Sequence, residues 1–157
     1  MRAKFVNEYV ILPPKSKEDI IRDLKTLSKD ELGEQLIKAC EQGLTNIVKW
    51  IIDAGADVNS KDYYGWTPLL YASCNGHTDV VKLLLDAGAN VNAKDDDGMT
   101  ALVKASNNGY EDVVKLLLDA GADVNISNNY WGTALKGALY YRHKGIVELL
   151  KKYGAKE

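Results

Sequence analysis

Apolar residues fall in short bursts between polar turns, and the bursts recur at a fixed interval. Val80, Val81, Leu83, Leu84 and Leu85 make one broad helical face, Val113, Val114, Leu116, Leu117 and Leu118 the next, and Ile146, Val147, Leu149 and Leu150 a third. A shorter segment precedes each of the first two, with Leu69 and Ala72, or Leu102 and Ala105, directed inward; the small alanines let neighbouring helices approach closely. The interval is 33 residues, and Asp53 to Leu85 agrees with Asp86 to Leu118 at 22 of 33 positions. Gly55, Gly88, Gly121 and Gly154 recur in register, as do Asn59, Asn92 and Asn125. Faces this wide must touch neighbours on both sides, so the pattern predicts an all-α stack in which each unit buries its apolar side against the next.

The polar residues between the bursts predict how each unit turns. In Asp62-Tyr63-Tyr64-Gly65 and Asp95-Asp96-Asp97-Gly98, aspartate can bond its own downstream backbone and glycine accepts positive φ, which together suit a hairpin-like turn. Thr67 and Thr100 are predicted N-caps, and Pro68 fits the first helical position, where its missing N–H would be unpaired anyway. Gly76 and Gly109 are expected to end the first helices, and Gly88 and Gly121 the second. Thr-Pro-Leu and Gly-Ala-Asp-Val-Asn on a 33-residue period resemble the ankyrin repeat.

The resemblance covers roughly residues 30–157. It implies an all-α solenoid of helix-turn-helix units joined by hairpin-like turns. Residues 29–61 would form an N-terminal cap repeat, 62–94 and 95–127 full repeats, and 128–157 a C-terminal cap repeat. Three departures stand out. The histidine that the family places after Thr-Pro-Leu to link adjacent hairpins is replaced by Leu70, Val103 and Lys136, which puts those inter-repeat bonds in doubt. Trp131-Gly132 stands where Gly65-Trp66 and Gly98-Met99 stand earlier, and Arg142 replaces a helix-ending glycine. The last hairpin and inter-helix turn are therefore expected to be distorted.

Residues 1–28 lie outside the repeat. Phe5, Val6, Tyr9, Val10, Ile11 and Leu12 form a strand-like stretch stopped by Pro13-Pro14. Ser16 and Asp19 then begin a short amphipathic helix with Ile20, Ile21, Leu24 and Leu27 on one side. This helix is expected to cover the first repeat; alternatively, Phe5 to Leu12 docks on a partner or along the protein's own binding surface. Ser28 stands three residues before Glu31, the spacing of a capping box for the cap repeat's first helix.

Charge narrows the choice of partner. The net charge of −2 resolves into +2 over residues 1–30, −8 over 31–127 and +4 over 128–157. An acidic middle repels phosphates, which disfavours nucleic acid and suits a protein partner with a basic patch. No run of about 18 apolar residues occurs, and Arg2, Lys4 and Glu8 interrupt the first segment, so neither a membrane span nor a signal peptide is expected. Cys40 and Cys74 sit in helices at positions for small side chains and read as reduced, as in the cytoplasm.

The sequence carries no catalytic or metal-ligating pattern. Its histidines, His77 and His143, lie two repeats apart. The acidic run Asp95-Asp96-Asp97-Gly98 fails as a calcium loop, because Ala93 and Lys104 occupy the first and last ligand places. No phosphate-binding, dinucleotide, nucleophile-elbow or zinc-hydrolase motif is present, so neither a cofactor nor an enzymatic role is expected.

The resemblance implies a binding surface made by hairpin tips and the exposed side of first helices. Mapped onto this chain, it selects Tyr63, Tyr64, Trp66, Cys74 and Asn75, then Asp96, Asp97, Met99, Asn107 and Asn108. The last copy adds Asn129, Tyr130, Trp131, Tyr140 and Tyr141, and the cap Glu41 and Gln42. These sites were free of packing demands in the repeat pattern, yet seven hold tyrosine or tryptophan, the residues enriched at interface hot spots. The surface is therefore expected to hold a protein partner on a monomer; alternatively the rings pack against each other or the extension. Two further readings remain: an autoinhibited or self-associating scaffold, and an inhibitor or immunity-type protein masking one partner enzyme. Similar asparagines in the family can be hydroxylated, which makes Asn59, Asn92 and Asn125 candidate modification sites beside their role in satisfying loop backbone.

Overall fold

A computed structural model describes residues 15–130 and 132–157; the Phe5 to Leu12 stretch and Trp131 lie outside them. Helix α1 (Lys17–Leu24) is followed by four helix pairs: α2 (Lys29–Glu41) with α3 (Thr45–Asp53), α4 (Pro68–Cys74) with α5 (Thr78–Asp86), α6 (Ala101–Asn108) with α7 (Glu111–Asp119), and α8 (Ala134–Tyr140) with α9 (Lys144–Lys152). The first helices α2, α4, α6 and α8 stack in one row, α3, α5, α7 and α9 in a second, and α1 leans on α3. Among the described residues the one bridge of β type joins Asn128 to Gly132.

Side-chain caps fix the starts of the first helices, whereas the second helices begin without one. Ser28 accepts from the Glu31 amide at 3.2 Å while the Glu31 carboxylate accepts from the Ser28 amide at 2.9 Å, the reciprocal box that satisfies two otherwise orphaned donors. Thr67, Thr100 and Thr133 cap α4, α6 and α8 by accepting from the amide three residues on. Ala72, Ala105 and Ala138 are fully buried where the first helices meet. Leu69, Leu102 and Leu135 from the first helices, with Leu84, Leu117 and Leu150 from the second, fill the space between the rows. In the last pair the buried Leu70 and Val103 position becomes exposed Lys136, and the Leu118 position becomes exposed Lys151. The outer face of that pair thus carries lysines beside an exposed Leu139, whose equivalents Ser73 and Ser106 are buried.

Adjacent units are tied by bonds between residues about one repeat apart. Asn59 Oδ1 accepts from the Asn90 amide at 2.8 Å, Asn92 Oδ1 from the Asp123 amide at 2.8 Å, and Asn125 Oδ1 from the Lys156 amide at 3.1 Å. His77 Nε2 lies 2.9 Å from the Glu41 carbonyl and His143 Nε2 3.0 Å from that of Asn107; a carbonyl only accepts, so each ring donates. Adjacent hairpins, whose bonds were placed in doubt by the missing histidine, are joined instead by backbone bonds from the Asp96 amide to the Tyr64 carbonyl and from the Asn129 amide to that of Asp97. Each asparagine bond is expected to be worth about 1 kcal/mol. Accordingly, Asn92→Ala is expected to lower the urea unfolding free energy by that amount, and an unchanged midpoint would remove the ladder from this account.

The distortion expected at Arg142 does not occur. Arg142 takes φ 62°, beside φ 72° at Gly76 and 80° at Gly109, and the His143 amide donates to the Ala138 carbonyl at 2.9 Å, as His77 does to Ala72. The turn keeps its geometry because its backbone bonds outweigh the roughly 1–2 kcal/mol cost of a left-handed non-glycine residue. Position also matters. A Cβ on Gly76 would stand 2.7 Å from the Tyr110 ring and one on Gly109 2.7 Å from the His143 ring, so these two turns require glycine twice over. The last hairpin departs less than expected: the Asn128 amide still donates to the carbonyl four residues on, at 3.1 Å, but positive φ falls on Gly132, one residue later than Gly65 and Gly98.

Candidate functional site

The hairpin tips form a continuous edge. Asp62 Oδ1 accepts from the Tyr64 and Trp66 amides, both at 2.9 Å, and Asp95 Oδ1 from the Asp97 and Met99 amides at 3.0 and 2.8 Å. Asn128 repeats the arrangement with the Tyr130 amide at 2.9 Å. Backbone bonds then join tip to tip, Asp96 N–H to the Tyr64 carbonyl at 3.3 Å and Asn129 N–H to that of Asp97 at 3.2 Å. The side chains of Tyr63, Tyr64, Asp96, Asp97, Asn129 and Tyr130 are all exposed along this edge.

Tyr63 is 91% exposed and Tyr130 70%, values far from those of rings that hold a fold together. Tyr63 and Tyr64 meet edge to face at 5.4 Å, and Tyr140 and Tyr141 do so at 5.0 Å. Tyr141 also stacks on His143 at 6.2 Å. Tyr140 and Tyr141 line a pocket of about 190 Å³ between α6 and α8, together with Asn107, Lys136 and Gly137. Glu41 and Gln42 are exposed at the end of α2.

Other sequence-selected residues do not share this freedom from packing. Trp66 is half-buried, its ring 4.7 Å from that of Tyr71 with Lys104 Nζ 3.6 Å from its centroid. Met99 packs against the core, because the residue after the turn glycine points back under the hairpin. Asn75 Nδ2 donates to the Glu41 carbonyl at 3.2 Å and Asn108 Nδ2 to that of Cys74 at 2.9 Å. Asn107 is half-buried against Gly137, whose missing side chain makes room for its amide. Cys74 is half-buried. Trp131 lies outside the described residues.

Sequence reasoning overlooked two residues that shape this surface, Tyr71 and Lys104. They occupy equivalent places, nine residues after the turn aspartates: the Tyr71 hydroxyl donates to Asp62 Oδ2 at 2.6 Å, and Lys104 Nζ pairs with Asp95 Oδ2 at 2.8 Å. Burial, the bond to Asp62 and the charges of Asp62 and Glu41 hold the Tyr71 phenol well above its usual range. The shared nine-residue spacing, with a donor at the far end each time, was the available signal. Cys40 is buried and its thiol is pushed up to about 12, so it stays neutral and unreactive. Among the described residues no cluster of three or more metal-ligating side chains forms, and no helix is long and apolar enough to cross a membrane.

Comparison with known proteins agrees with this architecture. A 44-residue stretch is 46% identical to a rabbit (Oryctolagus cuniculus) protein named ankyrin repeat, SAM and basic leucine zipper domain-containing protein 1, covering 28% of this chain and 9% of that protein. A putative ankyrin repeat protein of Acanthamoeba polyphaga mimivirus is 38% identical over 57 residues, 36% of this chain and 12% of its own length. Protein phosphatase 1 regulatory subunit 12A of Mus musculus is 54% identical over 37 residues, 24% and 4% respectively. The chain thus spans only 4–12% of the length of these relatives. A family model described as ankyrin repeats in three copies matches residues 17–95 and 90–157, nearly the whole described chain with its paired helices and bonded hairpins, and the chain belongs to the ankyrin repeat family.

Proposed function

We propose that this chain is a non-enzymatic protein-recognition module that holds a protein partner along the edge formed by its hairpin tips and the exposed ends of its first helices. Ankyrin repeats generally act as protein–protein interaction modules. The observation that carries the assignment to this edge is the exposure of Tyr63, Tyr64, Tyr130, Tyr140 and Tyr141, which the fold does not need for its core. Such rings bury large area on binding while few rotors are frozen. Beside them Asp96 and Asp97 add negative charge that favours a partner with a basic patch. Cys40 and Cys74 are free thiols, which fits a reducing compartment such as the cytoplasm.

The test separates recognition from stability. A partner captured on the immobilised chain is expected to bind the Tyr63→Ala and Tyr140→Ala variants more weakly by at least about 1 kcal/mol each, with melting temperature unchanged. Equal affinity with a lowered melting temperature would assign the rings to the fold and sink the proposal.

A further inference from the structure

A groove of about 750 Å³ runs between α2 and the segment of residues 57–63. One wall is a stripe along α2. Asp30, Glu34, Ile37 and Glu41 stand at i, i+4, i+7 and i+11, one face of a helix, and span about 16 Å at 1.5 Å per residue. The opposite wall carries Tyr63 and Tyr71. None of the acidic side chains in this groove takes part in an ion pair among the described residues. Asp57 accepts a bond within its own turn, and Asp62 accepts from its own turn and from the Tyr71 hydroxyl, whereas Asp30, Glu34 and Glu41 are exposed. Of the two groove lysines, Lys61 is drawn to the next hairpin, where Nζ donates to the Lys94 carbonyl at 3.2 Å.

Carboxylates facing an exposed phenol ring, here that of Tyr63, are surroundings that favour guanidinium over other groups. Its planar fork bonds carboxylates in pairs while its face stacks flat on an aromatic ring, whereas a lysine ammonium meets either group only as a compact, strongly hydrated point charge. Spacing adds a second constraint. Alternate side chains of an extended chain lie about 6.8 Å apart, close to the rise of about 6 Å between Asp30 and Glu34. We infer that this groove receives an extended segment of the partner protein that carries arginines at alternate positions, their guanidinium groups lying between the α2 stripe and Tyr63.

This inference rests on the recognition role proposed above and names the chemistry of one end of that surface. Its probe is a fluorescein-labelled decapeptide of alternating arginine and serine, titrated by anisotropy against the full chain, with a lysine-for-arginine peptide alongside. Wild type is expected to bind the arginine peptide at least tenfold more tightly than the lysine peptide. Glu34→Gln, Glu41→Gln and Tyr63→Ala are each expected to weaken it about tenfold, while Asp86→Asn and Asp112→Asn, exposed on the second helices, leave it unchanged. Equal binding of both peptides, equal loss in the second-helix controls, or absence of binding overturns the inference. If a captured partner is weakened by Tyr140→Ala but not by Glu34→Gln, the groove proposal falls and the recognition role stands.

Discussion

Lys104→Ala is expected to cost about 3–5 kcal/mol of unfolding free energy, the range for removing one partner of a buried ion pair. Lys104 and Asp95 side chains are 7% and 2% exposed, with Nζ 2.8 Å from Oδ2. Without Lys104, Oδ2 has no other hydrogen-bond partner, while Oδ1 stays committed to the Asp97 and Met99 amides. The ammonium also lies 3.6 Å from the centroid of Trp66, in the preceding repeat, so its loss loosens the seam between two hairpins. The preceding unit supplies the control. There Tyr71 does the same job with a neutral hydroxyl, donating to Asp62 Oδ2 at 2.6 Å. Lys104→Tyr is accordingly expected to retain most of the stability that Lys104→Ala loses. Urea unfolding of the three proteins decides it, and a Lys104→Ala variant within about 1 kcal/mol of wild type would contradict the buried-pair account.

The second large effect concerns a turn. Gly109→Ala is expected to destabilise by about 2–4 kcal/mol, combining the cost of a left-handed alanine with that of forcing a methyl into filled space. Gly109 has φ 80°, and its added Cβ would stand 2.7 Å from His143 Cε1. The ring cannot retreat without stretching its 3.0 Å bond to the Asn107 carbonyl. Arg142 is the natural counterpart, left-handed without glycine at φ 62°. Arg142→Gly is expected to stabilise by about 0.5–1 kcal/mol, after allowing for the greater freedom of glycine in the unfolded chain. Thermal unfolding with both changes of the same sign would refute the distinction between the two turns.

These contrasts also explain what could be read from the sequence. Caps and hairpin turns were legible because each is settled within three or four residues: Thr67, Thr100 and Ser28 act on amides three positions on, and Asp62 and Asp95 on their own turns. The bonds joining units were not, since Asn59 reaches 31 residues ahead and His77 36 back, and nothing local marks their partners. Arg142 was misjudged because the cost of one dihedral was weighed without the backbone bonds that hold the turn. On the surface, the tip tyrosines were placed correctly as exposed, but Trp66 and Met99 looked equivalent to them in register. Register along a repeat gives position, whereas the direction of a side chain after a turn depends on what lies beneath, here Tyr71, Lys104 and the core. The pairing of Tyr71 and Lys104 with the turn aspartates shows how copies of one repeat can solve the same demand with different chemistry.

The central claim is that recognition occupies the hairpin-tip and first-helix edge while the second helices serve the fold. Amide hydrogen exchange of the chain with and without its captured partner tests it most directly. Protection is expected at residues 62–66, 95–99 and 128–133 and at the ends of α2, α4, α6 and α8. Protection confined to α5, α7 and α9, with the tips unchanged, would contradict it.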